Sequence, residues 1–264
     1  MGERMRDAVT AVTGAGSGMG RSHCTRLAAE GSAILAIDRD PDGLAGTAEE
    51  VRALGVRCVT AVADVRDPAA LAAAFGAGVA ELGRLDVVVA NAGIYADLAP
   101  SWELTEEAWH RTLDVNLTGV WHTVRAALPV LADGGSVVLI SSTNGVRGGA
   151  STAHYSASKH GVIGLGRVLA NELGPRGIRV NTVLPGAVAT AMVINDTVFA
   201  RLRPDLESPT EQDAAAVLGT RTILPVAWVD PVDVSNAVLF LACDESRYVT
   251  GTQIVVDAGL TEKV

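Results

Sequence analysis

Tyr155 and Lys159 stand four residues apart at the start of a stretch, Tyr155 to Leu173, that reads as helix, so one face carries both side chains. A free phenol, with a pKa of ~10, is a poor base at neutral pH. An ammonium ~4 Å away, at an effective dielectric of ~20, favours the phenolate by ~4 kcal/mol, roughly three pKa units. Such a tyrosine exchanges a proton with an alcohol near pH 7. Ser142, thirteen residues before Tyr155, follows the apolar strand Ser136 to Ile140, whose end can aim a hydroxyl at the same point. Taken alone, a Tyr and a Lys at this spacing describe an ordinary surface pair with the lysine stem laid along an apolar face. The rest of the chain decides between the two.

Short runs rich in Val, Ile and Ala alternate with longer helical patterns. The spacing predicts strands over 8–13, 33–38, 56–64, 85–91, 136–141 and 179–184, and helices over 20–30, 48–54, 68–82, 106–131 and 155–173. Strands without polar alternation, joined by helices, imply a parallel sheet covered on both faces. The fold class is therefore α/β: a doubly wound sheet with ligands at the carboxyl ends of its strands. After Pro185 the rhythm breaks, and Gly186 to Pro225, with Pro204 and Pro209 inside it, is too long for an ordinary connection and reads as a substrate lid. A helix over 230–241 and a strand over 253–256 complete one domain, residues 1–264, without linker or repeat.

The segment Thr13-Gly14-Ala15-Gly16-Ser17-Gly18-Met19-Gly20 follows the first strand and opens the first helix. Glycines there permit a tight turn and let a pyrophosphate approach the amides of a helix start. The spacing differs from G-x-G-x-x-G, because position 19 is Met. Asp38, at the end of the second strand, can accept hydrogen bonds from both hydroxyls of an adenosine ribose and repel a 2′-phosphate, which favours NAD over NADP. Arg39 is the counter-argument, since a guanidinium can grip that phosphate. Asp64 and Val65 close the third strand and Asn91, Ala92 and Gly93 the fourth, on the rim where adenosine would lie. Asp64 pairs there with the adenine amino group or caps the turn before Pro68, and Asn91 lines the cofactor or ties strand ends together.

At 264 residues the chain can bury a sizeable core, and 48% of it is hydrophobic. Its formal charge of −9, without a basic cluster, argues against nucleic acid as a partner. Cys24, Cys58 and Cys243, odd in number and in apolar surroundings, read as buried reduced thiols. With no leader and no apolar run of ~18 residues, the expectation is a soluble cytoplasmic protein without a membrane partner. Five histidines show no spacing that gathers a metal. His154, one residue from Tyr155, points elsewhere and is assigned a helix-start role. Trp102, Trp109 and Trp121 pack helices, although Trp102 and Tyr95 can also reach the pocket. Val146, Tyr95, Met192 and Phe199 are its expected apolar walls.

With Thr13 to Gly20, Asp38, Asp64, Asn91-Ala92-Gly93, Asn116, Ser142, Tyr155, Lys159 and Pro185-Gly186 in this order, residues 7 to 259 resemble the NAD-dependent branch of the short-chain dehydrogenase/reductase family, with its Rossmann-like fold. The resemblance implies a general acid/base at Tyr155 and a Lys159 that lowers its pKa and holds the nicotinamide ribose. It further implies a Ser142 that orients the substrate oxygen, and an Asn116 that bends its helix to seat a water between Lys159 and bulk solvent. Pro185, Gly186, Val188 and Thr190 would line the nicotinamide. Hydride transfer between NAD and a hydrophobic secondary alcohol or its ketone, terpenoid- or steroid-like, is the implied reaction. Relatives are commonly homotetramers, which suits the small and apolar residues on 106–131 and 155–173.

Gly20-Arg21-Ser22-His23, Gly119 to Val124, Arg203 to Glu207, Trp228 to Leu241 and Ser246 to Gly251 are similar to the carveol-dehydrogenase-type subfamily associated with mycofactocin. That likeness implies NAD held without exchange and mycofactocin as electron acceptor. The chain departs from it in one place: only Arg39 to Thr47 separates Asp38 from Ala48, where those relatives carry an insertion over the cofactor. An ordinary, freely exchanging NAD stays open beside it, as do an idle NAD-binding sensor or scaffold and an epimerase that uses NAD transiently.

Overall fold

A computed structural model describes residues 2–264. Seven parallel strands form one sheet in the order β3-β2-β1-β4-β5-β6-β7. They are β1 (Val9–Thr13), β2 (Ala33–Asp38), β3 (Cys58–Val62), β4 (Val87–Ala90), β5 (Ser136–Ile140), β6 (Arg179–Pro185) and β7 (Gln253–Val256). Between them run α1 (Gly18–Ala28), α2 (Pro41–Ala53), α3 (Pro68–Leu82), α4 (Glu106–Leu113), α5 (Gly119–Ala127), α6 (Ala153–Leu173), α7 (Asp196–Leu202), α8 (Glu211–Gly219) and α9 (Pro231–Ala242). The chain winds outward from β1 in both directions, which makes the β1–β4 boundary the switch point where a crevice opens at the carboxyl ends.

Successive strand residues feed opposite faces. Leu35 and Ile37, Val88 and Ala90, Val137 and Leu139 point to a core shared with α3, α5 and α6. Ile34 and Ala36, Val87 and Val89, Val138 and Ile140 point to a second core closed by α1, α2 and α9. Both faces are covered, so β1, β4, β5 and β6 are buried throughout, β2 is half-buried only at its ends, and the outer strands β3 and β7 are partly exposed. Cys24, Cys58 and Cys243 are buried free thiols. Among the described residues no helix is long and apolar enough to cross a membrane.

Three elements differ from the sequence expectation. The second helix begins at Pro41 instead of Ala48, because Asp40 caps it by accepting from the Asp42 amide and Pro41 occupies its first turn. Its early glycines have a packing reason: a Cβ on Gly43 would stand 2.7 Å from the Gly16 carbonyl oxygen, and one on Gly46 would stand 3.2 Å from the Arg21 guanidinium. The continuous helix expected over 106–131 is interrupted at Asp114–Thr118 by a π-helical segment and ends near Ala127. Its wide turn carries Asn116, whose side chain pairs with backbone outside the helix. The insertion 186–225 contains α7 and α8, capped by Asn195 and by a Thr210–Asp213 capping box.

Two glycines of α3 test the packing. Gly78 faces Leu35, and a Cβ there would lie 2.5 Å from that fully buried side chain, whereas a Cβ on exposed Gly76 meets nothing within 4 Å. Chemical denaturation should show Gly76→Ala stabilising by up to ~1 kcal/mol and Gly78→Ala destabilising by about 1–3 kcal/mol despite the same gain in helix propensity. Equal effects would contradict the packing.

Candidate active site

The glycine turn between β1 and α1 is held at close quarters. Gly14 has φ of 68°, and a Cβ on it would stand 2.8 Å from the Ala92 Cα; a Cβ on Gly20 would stand 1.9 Å from the Gly14 oxygen. Glycine is obligatory at both. Ser17 precedes α1 in extended conformation and its side chain caps nothing, so the first amides of the helix stay free to meet an anion. From outside the turn, Arg21 donates to the Gly16 oxygen at 2.7 Å and the Gly43 oxygen at 3.1 Å, and Thr47 Oγ1 donates to the Ala15 oxygen at 2.8 Å.

Asn91 ties the end of β4 to this turn by donating from Nδ2 to Thr13 O and Gly14 O at 3.1 and 3.2 Å. Behind it lies fully buried His23, with Nδ1 2.8 Å from Ser235 Oγ on α9. His23 Nε2 and Asn91 Oδ1 are both buried without a well-formed hydrogen bond of their own, and the Asn91 amide acts on the imidazole. Burial pushes the imidazole pKa down to about 3, so it is neutral. His23, Arg21, Thr47 and Ser235 had no assigned role in the sequence expectation; Arg21 and His23 appeared only within the Gly20-Arg21-Ser22-His23 motif and Ser235 only within Trp228 to Leu241.

Asp38 accepts from the Gly16 amide at 2.8 Å through one oxygen and from the Asp40 amide at 3.0 Å through the other. Asp64 is clamped by Arg66, whose hydrogen bonds hold the carboxyl below its usual range, with Arg39 adding a weaker attraction. It also caps the turn before Pro68, accepting from the Arg66 amide at 2.9 Å, while Asp67 caps α3 itself by accepting from the Ala69 and Ala70 amides.

Tyr155 and Lys159 share one face of α6. Lys159 Nζ is buried, lies 5.8 Å from the Tyr155 ring centroid and donates to the Ile140 oxygen at the end of β5, 3.0 Å away. Burial drives its pKa down to about 8. The phenol moves opposite to the spacing argument: burial raises it to about 12, a hydrogen bond with Ser142 works the other way, and Tyr95 adds to the rise. Desolvation wins because the ammonium is bound to a strand carbonyl rather than to the phenol. Ser142 begins a tight turn, its Oγ accepting from the Asn144 amide at 3.1 Å. Asn116 Oδ1 accepts from the Ile94 amide at 2.7 Å while Nδ2 donates to the Ile94 oxygen at 2.9 Å. A Cβ on Gly93 would touch both Asn116 Oδ1 and Lys159 Nζ.

Two cavities meet here. One, of about 370 Å³, runs along the strand ends and is lined by Gly14, Ser17, Gly18, Met19, Gly20, Asp38, Arg39, Asp64, Val65, Asn91, Ala92, Gly93, Tyr155, Lys159 and Thr190 among others. The second, of about 620 Å³, lies under the 186–225 insertion. Met19, Ser141, Tyr155, Thr190 and Met192 line both and form the junction.

Several expected positions fall elsewhere. Pro185, Gly186 and Val188 line only the second cavity, because β6 ends on that side of Tyr155. Gly16 and Asn116 line neither; they hold the walls. Val146 and Phe199 are not wall residues, and Val193, Val198, Leu202, Leu218 and Leu260 stand there instead. Trp102 is 82% exposed and away from both cavities. Trp109 and Trp121 are likewise exposed, so neither is a core packing residue. His154 anchors the start of α6, its Nε2 2.9 Å from the Ala96 oxygen.

A family profile described as enoyl-(acyl carrier protein) reductase matches residues 14–261. The chain is 44% identical to a (−)-trans-carveol dehydrogenase of Rhodococcus erythropolis over 98% of this chain and 99% of that one. It superposes on a crystal structure of a carveol dehydrogenase from Mycobacterium avium in complex with NAD, with a TM-score of 0.97, 50% identity and coverage of 99% and 100%. A short-chain dehydrogenase from Mycobacterium paratuberculosis bound to NAD matches with a TM-score of 0.88 and 39% identity over 98% of this chain and all of that one.

The buried imidazole makes a stability prediction. Its folded pKa of about 3 lies below the ordinary value of 6.5, so between these limits the unfolded chain binds the proton and stability falls as pH falls. Between pH 6.5 and 5, above the carboxylate range, the loss should be about 2 kcal/mol. Denaturant titrations should show this slope in the wild type and not in His23→Gln.

Proposed function

The chain belongs to the short-chain dehydrogenase/reductase family, and from that premise we propose that it interconverts a secondary alcohol and its ketone with NAD, using Tyr155 as general acid/base. The observation that carries this reading is the position of Tyr155, in contact with Ser142, at the junction of the dinucleotide-sized cleft and the second cavity. An idle binding module has no need of a phenol and a buried ammonium at that junction.

The residues fit NAD. An uncapped helix start faces the cleft, Asp38 offers a carboxylate on its rim, and Asp64 offsets the charge of Arg39, an arrangement hostile to a 2′-phosphate. Met19 and Thr190, with Lys159 beneath, bound the end nearest Tyr155. Bound NAD supplies the hydride acceptor and, when oxidised, one further positive charge in the cleft. Ser142 Oγ holds the substrate oxygen beside the phenol, a positioning effect that removes entropy from the barrier. In ketone reduction Tyr155, which carries its proton at neutral pH, delivers it to the nascent alkoxide. In alcohol oxidation the phenol first gives up its own proton to water, a loss favoured by Lys159, still largely charged at pH 7, and the phenolate then takes the proton of the alcohol. Asn116, fixed on Ile94, keeps the π-helical turn open beside Lys159, which suits a water path for the proton.

The substrate class we favour is an alicyclic secondary alcohol, as carveol is, seated among Met192, Val193, Val198, Leu202 and Leu218. Only Arg39 and Asp40 connect β2 to α2, which supports an NAD that exchanges freely and needs no mycofactocin to be reoxidised. Exposed Trp109, Trp121 and Val168 on α4, α5 and α6 suit the subunit contacts of a homotetramer.

Secondary alcohols screened with free NAD and with an artificial acceptor test the reading. Turnover with free NAD is expected, and turnover only with the artificial acceptor would restore the mycofactocin-type alternative. Tyr155→Phe should lower turnover at least ~100-fold while NAD affinity, measured by fluorescence titration, stays nearly constant. Asp38→Ala should raise the NADP-to-NAD ratio of kcat/KM at least ~10-fold, about the worth of one close charge pair.

A further inference from the structure

We propose that the alcohol this site accepts carries a carboxylate, which the second cavity receives with Arg147, Arg201 and Arg221. The inference deepens the dehydrogenase reading above and rests on it for the reaction, though not for the charge. Four cations, Arg147, Arg201, Arg221 and Lys263, line the second cavity, and no Asp or Glu side chain does. The adjoining cleft is mixed, with Asp38, Asp40 and Asp64 beside Arg39 and Lys159 in its lining. In a chain of formal charge −9 the second cavity's one-signed lining is the opposite of the average surface.

None of the four has a carboxylate within 4 Å, whereas nine other arginines are so paired. Their hydrogen-bond partners are neutral oxygens. Arg201 donates to the Tyr95 hydroxyl at 2.6 Å, and the Tyr95 ring packs edge-on against Tyr155 with centroids 4.7 Å apart. This guanidinium thus stands one aromatic ring away from the reacting centre. Arg147 donates to the Leu260 oxygen and Lys263 to the oxygens of Thr220 and Thr222, while the Arg221 side chain donates to no protein atom.

The cations come from three separated stretches: the loop after Ser142, the insertion with α7 and α8, and the region near Lys263. They converge on one concavity, where fields of one sign add and concentrate an anion. A guanidinium fork matches a carboxylate better than any neutral group. The apolar walls accept the ring and the cations the acid, with the hydroxyl directed to Ser142 and Tyr155.

A hydroxycyclohexanecarboxylate and its methyl ester, oxidised with NAD at low salt, compare the charged and neutral forms of one scaffold. The acid should be preferred by at least roughly tenfold in kcat/KM, and raised ionic strength should erode that preference. The variant Arg147→Gln/Arg201→Gln/Arg221→Gln should bring the two within about threefold. Arg221→Gln alone, at an exposed residue without side-chain hydrogen bonds, should halve the preference or more if the triple variant fails to fold. Calorimetry with unreactive cyclohexanecarboxylate and cyclohexanecarboxamide reads the charge selectivity independently of the reaction. Selective binding of the carboxylate without oxidation of any alcohol would leave the inference standing and sink the dehydrogenase reading. Equal handling of acid and ester, or a preference that survives the arginine substitutions, would overturn the inference and leave the dehydrogenase reading intact.

Discussion

A lysine ammonium held inside the protein is the constraint on which the site turns. Burying an ammonium is costly unless donors find acceptors, and here the acceptor is the Ile140 carbonyl, available because β5 ends beneath α6. That single hydrogen bond pulls the lysine away from the phenol it was expected to charge. Burial therefore acts on both groups at once, lowering the lysine to about 8 and raising the tyrosine to about 12. The protein alone stores a neutral, proton-bearing tyrosine beside a lysine that still carries charge at pH 7.

Around this pair the walls are made by backbone held rigidly. Asn91, Arg21, Thr47 and Asp38 each bond main-chain atoms of the glycine turn, and His23 on α1, held by Ser235 of α9, backs Asn91. The turn is thereby fixed from several directions before any anion arrives, which lessens the ordering cost of binding. Asn116 does the same for Ile94 by making both of the hydrogen bonds that a neighbouring strand would. The π-helical widening of its helix is what lets that side chain reach across.

The insertion with α7 and α8 has a different character. It walls the end of the cleft with Thr190, Ala191 and Met192 and adds a second cavity, to which it brings mainly apolar residues, threonines and arginines. A doubly wound sheet supplies the dinucleotide cleft by topology alone, while the second cavity depends on what has been inserted after β6. The two cavities are thus built differently: the sheet provides the dinucleotide cleft, and the insertion much of the second cavity's lining.

The strands, α3 and β7 were legible in the sequence because their signals are local: an apolar run, a Pro at the first turn, a period. Ser142, Tyr155 and Lys159 were legible as a constellation because i,i+4 spacing places two of them on one face. The direction of the tyrosine pKa was not, since spacing does not show that Ile140, nineteen residues from Lys159, takes the ammonium. Nor were the early start of α2, whose glycines answer to Gly16 and Arg21 across the interface, or the break at Asn116, whose partner is Ile94. The convergence of Arg147, Arg201 and Arg221 on one cavity was equally hidden. The sequence by itself determined the layer architecture and the placing of Tyr155 and Lys159 on one helix face, because both follow from periodicity and short-range spacing. Tertiary structure alone decided desolvation, hydrogen-bond partners and the charge of the second cavity, because each depends on segments distant in the chain meeting in space.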